Sequence, residues 1–206
     1  MGSGFLRRRA RWTLLLGGLA GLGFGAAASG QPPPKAQADE LYQKLREINL
    51  HAVSGNGAAR LTPVSEGEVN AFLYYHGPER LPTGVTDPEV HILGDGRVSG
   101  TAIVDLDRIR KARQSGAWLD PMNLLTGRLA VTAEGILHTR GGQGRFDLQS
   151  ADISGVPVPK VVLQELVTFY SRTPQDPDGV SLDEPFELPS AIQEIRVAVG
   201  EAVVVQ

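Results

Sequence analysis

The chain has 206 residues, with 20 Lys and Arg against 23 Asp and Glu, a formal net charge of −3, and no cysteine. The absence of cysteine excludes disulfides, thiolate metal sites and thiol catalysis, so burial of apolar surface must stabilise the fold. The acidic balance, with no dense basic stretch beyond the N-terminus, argues against nucleic acid as a partner.

Residues 1–30 have the composition of a secretory signal peptide. The segment has four arginines near its start: Arg7, Arg8, Arg9 and Arg11. An apolar, glycine-rich run over 12–28 follows them, and the segment ends in small residues over 26–30. This order is typical of export signals. We therefore expect an exported, periplasmic protein of bacterial type; the alternative is an uncleaved segment that tethers the protein to the membrane. Removing these four arginines from the 20 basic residues would leave 16 against 23 acidic ones, a charge of about −7.

Residues 31–38 form a proline-rich segment that we interpret as a tether, and residues 39–206 have a length suited to one domain. Within 39–53, apolar residues recur at helical spacing and predict an amphipathic helix. Ser65 and Glu68 have the spacing of a capping box, which predicts a second helix. That helix should end at His76, before Gly77 and Pro78.

The middle of the chain changes to a period of two. Alternating apolar residues predict strands over 90–92, 98–106, 129–137 and 145–153, with glycine-rich turns at 94–96 and 141–144. Helices are predicted over 105–113 and 159–171, and a hairpin around Gly200 closes the chain. The order predicts an α+β fold in which an antiparallel sheet packs on one or two amphipathic helices.

The residues that could carry catalysis are scattered. His51, His76, His91 and His138 stand alone in the sequence, and no Gly-x-Ser-x-Gly nucleophile motif occurs. We therefore expect a non-enzymatic protein with no cofactor, no metal and no catalytic residue.

Two acidic clusters have alternative interpretations. Asp105 and Asp107 could hold a cation for a metal-dependent hydrolase, but they also suit the N-cap and first turn of a helix, which we favour. The acidic residues of 176–184 could offer oxygen ligands to calcium, but they lack the ligand spacing of an EF-hand. The proline and glycine of that segment alone predict a turn.

Three segments carry a resemblance to a known family. They are 61–70 (LTPVSEGEVN), 153–163 (ISGVPVPKVVL) and 186–197 (FELPSAIQEIRV). In this order, after a signal peptide, they resemble exported bacterial proteins of the lipomannan-elongation-factor and AsmA-like group, relatives of the tubular lipid-binding (TULIP-like) superfamily. The resemblance implies a curved antiparallel sheet that wraps a helix around an apolar groove, and it implies no catalytic set.

We therefore predict that the protein binds or transfers an envelope lipid or another apolar ligand. The candidate wall residues lie on predicted strand faces and on the 159–171 helix: Val98, Val104, Leu129, Val131, Leu163, Leu166, Val167 and Tyr170. The same residues could instead fill a core. An alternative function is an interaction module for an envelope protein partner, with Trp118, Tyr74 and Tyr75 as its anchors.

Overall fold

The computed structural model of the protein describes residues 31–55, 58–113, 126–172, 178–179 and 181–206, so the predicted signal peptide lies outside the described residues. Within these ranges the chain forms four α-helices: α1 (Lys35–Ser54), α2 (Glu66–His76), α3 (Leu106–Arg113) and α4 (Lys160–Ser171). The same ranges hold nine β-strands: β1 (Leu61–Ser65), β2 (Val85–Gly94), β3 (Arg97–Asp105), β4 (Arg128–Arg140), β5 (Gln143–Ile153), β6 (Val156–Pro157), β7 (Phe186–Glu187), β8 (Glu194–Ala198) and β9 (Glu201–Val205).

The strands form two antiparallel sheets, which confirms the predicted α+β class. A three-stranded sheet has the order β1-β9-β8, and a six-stranded sheet has the order β2-β3-β4-β5-β6, with β7 paired to β5. The two sheets meet where Leu93 forms an isolated bridge with Val199. Beside it, the Gly200 amide donates to the Ile92 carbonyl at 2.7 Å.

The first hydrophobic cluster joins α1 to the three-stranded sheet. Its buried members are Leu41, Ile48, Val64, Ile192 and Val204. Helix α1 begins at Lys35, within the segment predicted to be a tether, and Ala38 is fully buried. The predicted tether therefore extends four residues too far, because Lys35 to Ala38 complete the first turn of the helix.

Residues 61–65 form a strand that the sequence analysis did not predict. Pro63 hides its strand character, since proline cannot donate a ladder hydrogen bond. Strand β1 lies at the edge of the three-stranded sheet, where a missing amide donor is tolerated. The strand ends directly at the predicted capping box, which is confirmed: the Glu68 amide donates to Ser65 Oγ at 3.2 Å, and the Ser65 amide donates to Glu68 Oε2 at 2.7 Å.

The register of the six-stranded sheet places the predicted alternating residues on one face. Val104 lies opposite Leu129, Ala102 opposite Val131, and Val98 opposite Gly135. Because side chains alternate between the two faces of a strand, these residues all point to the same side. A bulge between Glu134 and Gly135 shifts the register against β5.

Helix α4 packs on this apolar face. Its Leu163 joins Ala133, Leu148 and Ala151 in the second hydrophobic cluster. Pro159 lies at the N-cap of α4, close to the first-turn position predicted for it. Among the residues described, no helix combines the length and the apolar character needed to cross a membrane.

Candidate functional site

Beyond the cluster under α4, the same face of the six-stranded sheet continues as a set of apolar side chains. Val131 lies opposite both Ala102 and Ile153, and Ile153 lies opposite Val156. We call the following residues the apolar strip: Val85, Ala102, Val104, Leu129, Val131, Ile153 and Val156. They belong to neither hydrophobic cluster; Val156 is 64% exposed, and the others are half-buried.

The predicted wall residues fall on both parts of this face. Three of them belong to the apolar strip: Val104, Leu129 and Val131. Four others are buried or packed: Val98 and Leu166 are buried, Leu163 is a member of the second cluster, and Val167 packs against it. The side chain of Tyr170 lies outside the described residues. The structure therefore brings the strand residues together on one face and places Leu163 in a filled cluster.

Four residues of the apolar strip were missed as site candidates: Val85, Ala102, Ile153 and Val156. Ala102 and Ile153 lie in predicted strands, so the period-two pattern could have added them to the wall. Val85 precedes the first predicted strand, and Val156 belongs to a strand of two residues. Neither has a local pattern that could have identified it.

Two open grooves lie elsewhere on the surface. The larger, of about 580 Å³, runs between the β4–β5 hairpin and β8 and is lined by Thr139, Arg140, Arg145, Glu194 and Ile195 among others. A smaller one of about 230 Å³ lies at the C-terminal end of α1, beside His51 and Gln206. Neither groove is lined by a predicted wall residue.

The acidic pair at the start of α3 has the geometry of a helix start. The Asp105 carboxylate accepts the Arg108 amide at 2.8 Å, which is the bond expected of an N-cap. Asp107 accepts the Gly127 amide at 3.1 Å. Of the predicted calcium segment, residues 176–177 and 180 lie outside the described residues, and Asp183 forms an ion pair with Lys160 at 2.5 Å. No group of three potential metal ligands occurs among the residues described.

The structure places a serine, a histidine and a glutamate close together in a way that the sequence did not suggest. His91 lies opposite Ser99, and its Nδ1 is 3.3 Å from Glu66 Oε1. Ser99, however, is only 1% exposed, and its Oγ has no hydrogen-bond partner within the described chain. A serine nucleophile must reach both a base and a substrate. This grouping meets neither condition, and it was hidden because Glu66 and His91 lie 25 residues apart.

Glu66 has a different role, at the edge of the six-stranded sheet. Its Oε2 accepts the Ile92 amide at 2.7 Å, and the Asn70 side chain both accepts from the Val90 amide and donates to the Val90 carbonyl, each at 2.8 Å. Helix α2 thereby supplies side chains where another strand would otherwise pair with β2. An edge strand covered in this way is protected from pairing with other chains.

A partly buried ion pair connects α1 to α2: the Glu68 side chain is buried and that of Lys44 is half-buried. Lys44 Nζ lies 2.6 Å from Glu68 Oε1. Burial alone would raise the pKa of Glu68, but the hydrogen bonds from Lys44 and Ser65 outweigh it, so the pKa lies below its usual value of 4.5. Burial alone would lower the pKa of Lys44, yet the hydrogen bonds to Glu68 and Glu40 leave it above 10.5. Both groups are therefore charged at neutral pH.

The three proposed aromatic anchors have different surroundings. Tyr74 is 56% exposed and contacts the ring of Tyr75 edge-on, with ring centroids 5.0 Å apart. The Tyr75 hydroxyl donates to the Pro33 carbonyl at 3.0 Å, so this residue holds the segment that precedes α1 rather than standing free. Trp118 lies outside the described residues. The interaction-module function stays a prediction.

Comparison of the chain with protein-family models, with curated proteins and with solved structures found no match.

Proposed function

We propose that this protein binds an envelope lipid or another apolar ligand, without catalysis, on the apolar strip of the six-stranded sheet. The observation that carries the proposal is the row Ala102, Val131, Ile153 and Val156, which crosses four neighbouring strands on one face. Helix α4 covers the neighbouring part of this face, and the strip lies outside both hydrophobic clusters. The predicted export signal would place such a protein in the periplasm, next to membrane lipids.

The physical chemistry of the strip suits an acyl or polyisoprenoid chain. When a bound hydrocarbon chain covers half-exposed apolar surface and removes it from water, binding is favoured by about 25 cal/mol per Å² of that surface. Val161 and Val162, which follow the strip residue Val156 by five and six positions at the start of α4, are 73% and 47% exposed. Exposed apolar side chains of this kind, beside a half-buried apolar face, are typical of interaction sites.

The test is the lipid content of the protein purified natively from a membrane-containing lysate. We expect mass spectrometry of the organic extract to detect a bound acyl or polyisoprenoid species. Val131→Asn should reduce its retention about tenfold, because a buried valine contributes about 1.5–3 kcal/mol and 1.4 kcal/mol corresponds to a factor of ten. Val53→Asn is the matched control, since Val53 is 87% exposed on α1.

Circular dichroism melts should accompany both variants, so that loss of lipid is not confused with loss of the fold. Wild-type protein without any bound lipid would contradict the proposal. So would a folded Val131→Asn variant that retains as much lipid as the Val53→Asn control.

A further inference from the structure

We infer that residues 1–30 stay attached to the domain and that the end of the α1–α2 helix pair which they join faces a lipid bilayer. The Tyr75 hydroxyl donates to the Pro33 carbonyl at 3.0 Å, so the chain is fixed to α2 just before α1 begins. Pro34 continues this segment in an extended conformation, with φ −60° and ψ 121°. This goes beyond the proposed function, because it concerns how the domain is oriented at a membrane and not which ligand it binds.

The sequence before Pro33 has the properties of a membrane-spanning segment. No charged residue occurs between Arg11 and Lys35, and the apolar run 12–28 follows the N-terminal arginines. An apolar run of about 17–25 residues can span a bilayer, and arginines at its start stay on the cytoplasmic side. Pro33 follows the apolar run by five residues, which extend over at most about 18 Å, so this end of the domain must lie close to the head groups.

The side chains at this end are of the kind that favours a membrane interface. Three of the four tyrosines of the chain lie here, and with Arg80 we call them the entry surface: Tyr42, Tyr74, Tyr75 and Arg80. Tyr74 is 56% exposed and contacts Tyr75 edge-on, and Tyr42 is 40% exposed and stacks on His76, with ring centroids 5.6 Å apart. Tyrosine is enriched at the head-group level because its ring is apolar while its hydroxyl stays hydrated.

The charges around the entry surface nearly cancel. They are carried by three bases and four acids: Lys35, Lys44, Arg80, Asp39, Glu40, Glu68 and Glu79. Attraction to anionic lipids requires a cluster of basic residues, which this set does not provide. The attachment of residues 1–30 must therefore hold the domain at the membrane, and the tyrosines are the part that enters the head-group region. We expect the same contact in neutral and in anionic membranes.

The far end of α1 provides a matched comparison. Val53 is 87% exposed, and it lies 18 residues beyond Lys35 on the same helix, which corresponds to about 27 Å along the helix axis. A side chain there is as accessible to water as Tyr74, but it lies away from the point where residues 1–30 join the domain. Contact with the bilayer should therefore be present at position 74 and absent at position 53.

The test uses the absence of cysteine from the chain, because Tyr74→Cys and Val53→Cys each create a single site for a fluorescent label. The full-length variants are reconstituted into phosphatidylcholine vesicles, with and without phosphatidylglycerol. A nitroxide lipid quenches labels in contact with the bilayer, and iodide quenches labels in contact with water. We expect the nitroxide lipid to reduce the fluorescence at position 74 and to leave that at position 53 unchanged, and iodide to do the reverse.

Four results would overturn the inference. The nitroxide lipid could quench both positions equally, or it could quench position 74 only when phosphatidylglycerol is present, so that charge and not the attachment provides the contact. The label at position 74 could be protected from both quenchers, which would show that another protein surface covers it. Finally, the intact mass of the protein exported by a bacterium could lack residues 1–30. Thermal melts verify that both variants are folded, and little change is expected because both side chains are exposed.

Discussion

The two hydrophobic clusters of this molecule differ in the size of their side chains and in how much apolar surface stays exposed beside them. The cluster between α1 and the three-stranded sheet consists of leucine, isoleucine and valine, and the partly buried Lys44–Glu68 pair connects its helix α1 to α2. The cluster under α4 contains two alanines among its four buried members, Ala133 and Ala151. The apolar strip lies outside the cluster under α4 and stays half-buried. The first region is built for stability, and the second retains the apolar surface that we propose as a binding site.

The first region also joins Gln206 to α1 and to the segment that precedes β1. The Gln206 amide donates to the Arg60 carbonyl at 3.0 Å, and the Arg60 amide donates back to the Gln206 carbonyl at 3.1 Å. The Gln206 side chain donates to the Ile48 carbonyl at 2.9 Å. Because its partners lie up to 158 residues apart, this cluster requires nearly the whole chain before it can form. The comparison therefore predicts that damage here affects global stability most.

The largest effect should come from Ile48→Ala. Ile48 is 3% exposed within the first cluster, so the substitution loses transfer energy and leaves a cavity, at a cost of about 4 kcal/mol. Leu163→Ala, in the second cluster, should cost about 2 kcal/mol, because its small neighbours and the half-buried strip allow the site to relax. Urea unfolding of both variants measures the difference. Equal losses would show that the two clusters are equally well packed.

Glu68→Gln should have the next largest effect, a loss of about 3 kcal/mol in the free energy of unfolding at neutral pH. The reason is that a neutral glutamine at this buried position cannot form an ion pair with Lys44. The pKa of Glu68 is lowered in the folded protein, so its contribution is present above the ordinary value of 4.5 and is lost as the pH falls through the folded value. The variant should therefore lose less stability than the wild type on acidification below pH 4.5.

The matched control for Glu68→Gln is Glu47→Gln. Glu47 pairs with Arg60, but its side chain is 56% exposed, so its removal should change stability by less than about 1 kcal/mol. Urea unfolding at several pH values between 3 and 7 follows both variants. If the Glu68→Gln variant lost as much unfolding free energy as the wild type when the pH is lowered, the Lys44–Glu68 pair would not be the source of the acid sensitivity.

Asn70→Ala should have the smallest effect of the three, a loss of about 2 kcal/mol in the free energy of unfolding, because it leaves the amide and the carbonyl of Val90 without their partner.

Thr139→Val makes the same test at β8, since the Thr139 hydroxyl accepts from the Ile195 amide at 2.8 Å and donates to its carbonyl at 2.9 Å. Hydrogen exchange of these backbone amides should rise only at the strand concerned. Faster exchange throughout the protein would contradict a local edge effect.

Much of the secondary structure was predictable because its signals are local. The capping box at Ser65 and Glu68, the glycine turns and the period-two strands each depend on residues within a few positions of one another. Strand β1 was missed because Pro63 resembles a break unless the strand is known to lie at a sheet edge. Of the candidate site, the alternation placed Val104, Leu129 and Val131 on one face correctly, but it did not reveal which of them α4 would cover.

The sequence by itself determined the type of most elements and the α+β class, because hydrophobic periodicity and turn residues act over short distances. Only the tertiary structure decided that β1 pairs with β9, that Asn70 completes the edge of β2, and that Arg97, Arg140 and Arg145 share one end of a face. Arg97 and Arg145 are far apart in the chain and lie on the same face, with β4 between them, only because of strand register. The turn fixes the register of the β4–β5 hairpin, but the register of β3 against β4 depends on pairing between segments that residues 106–127 separate in the sequence.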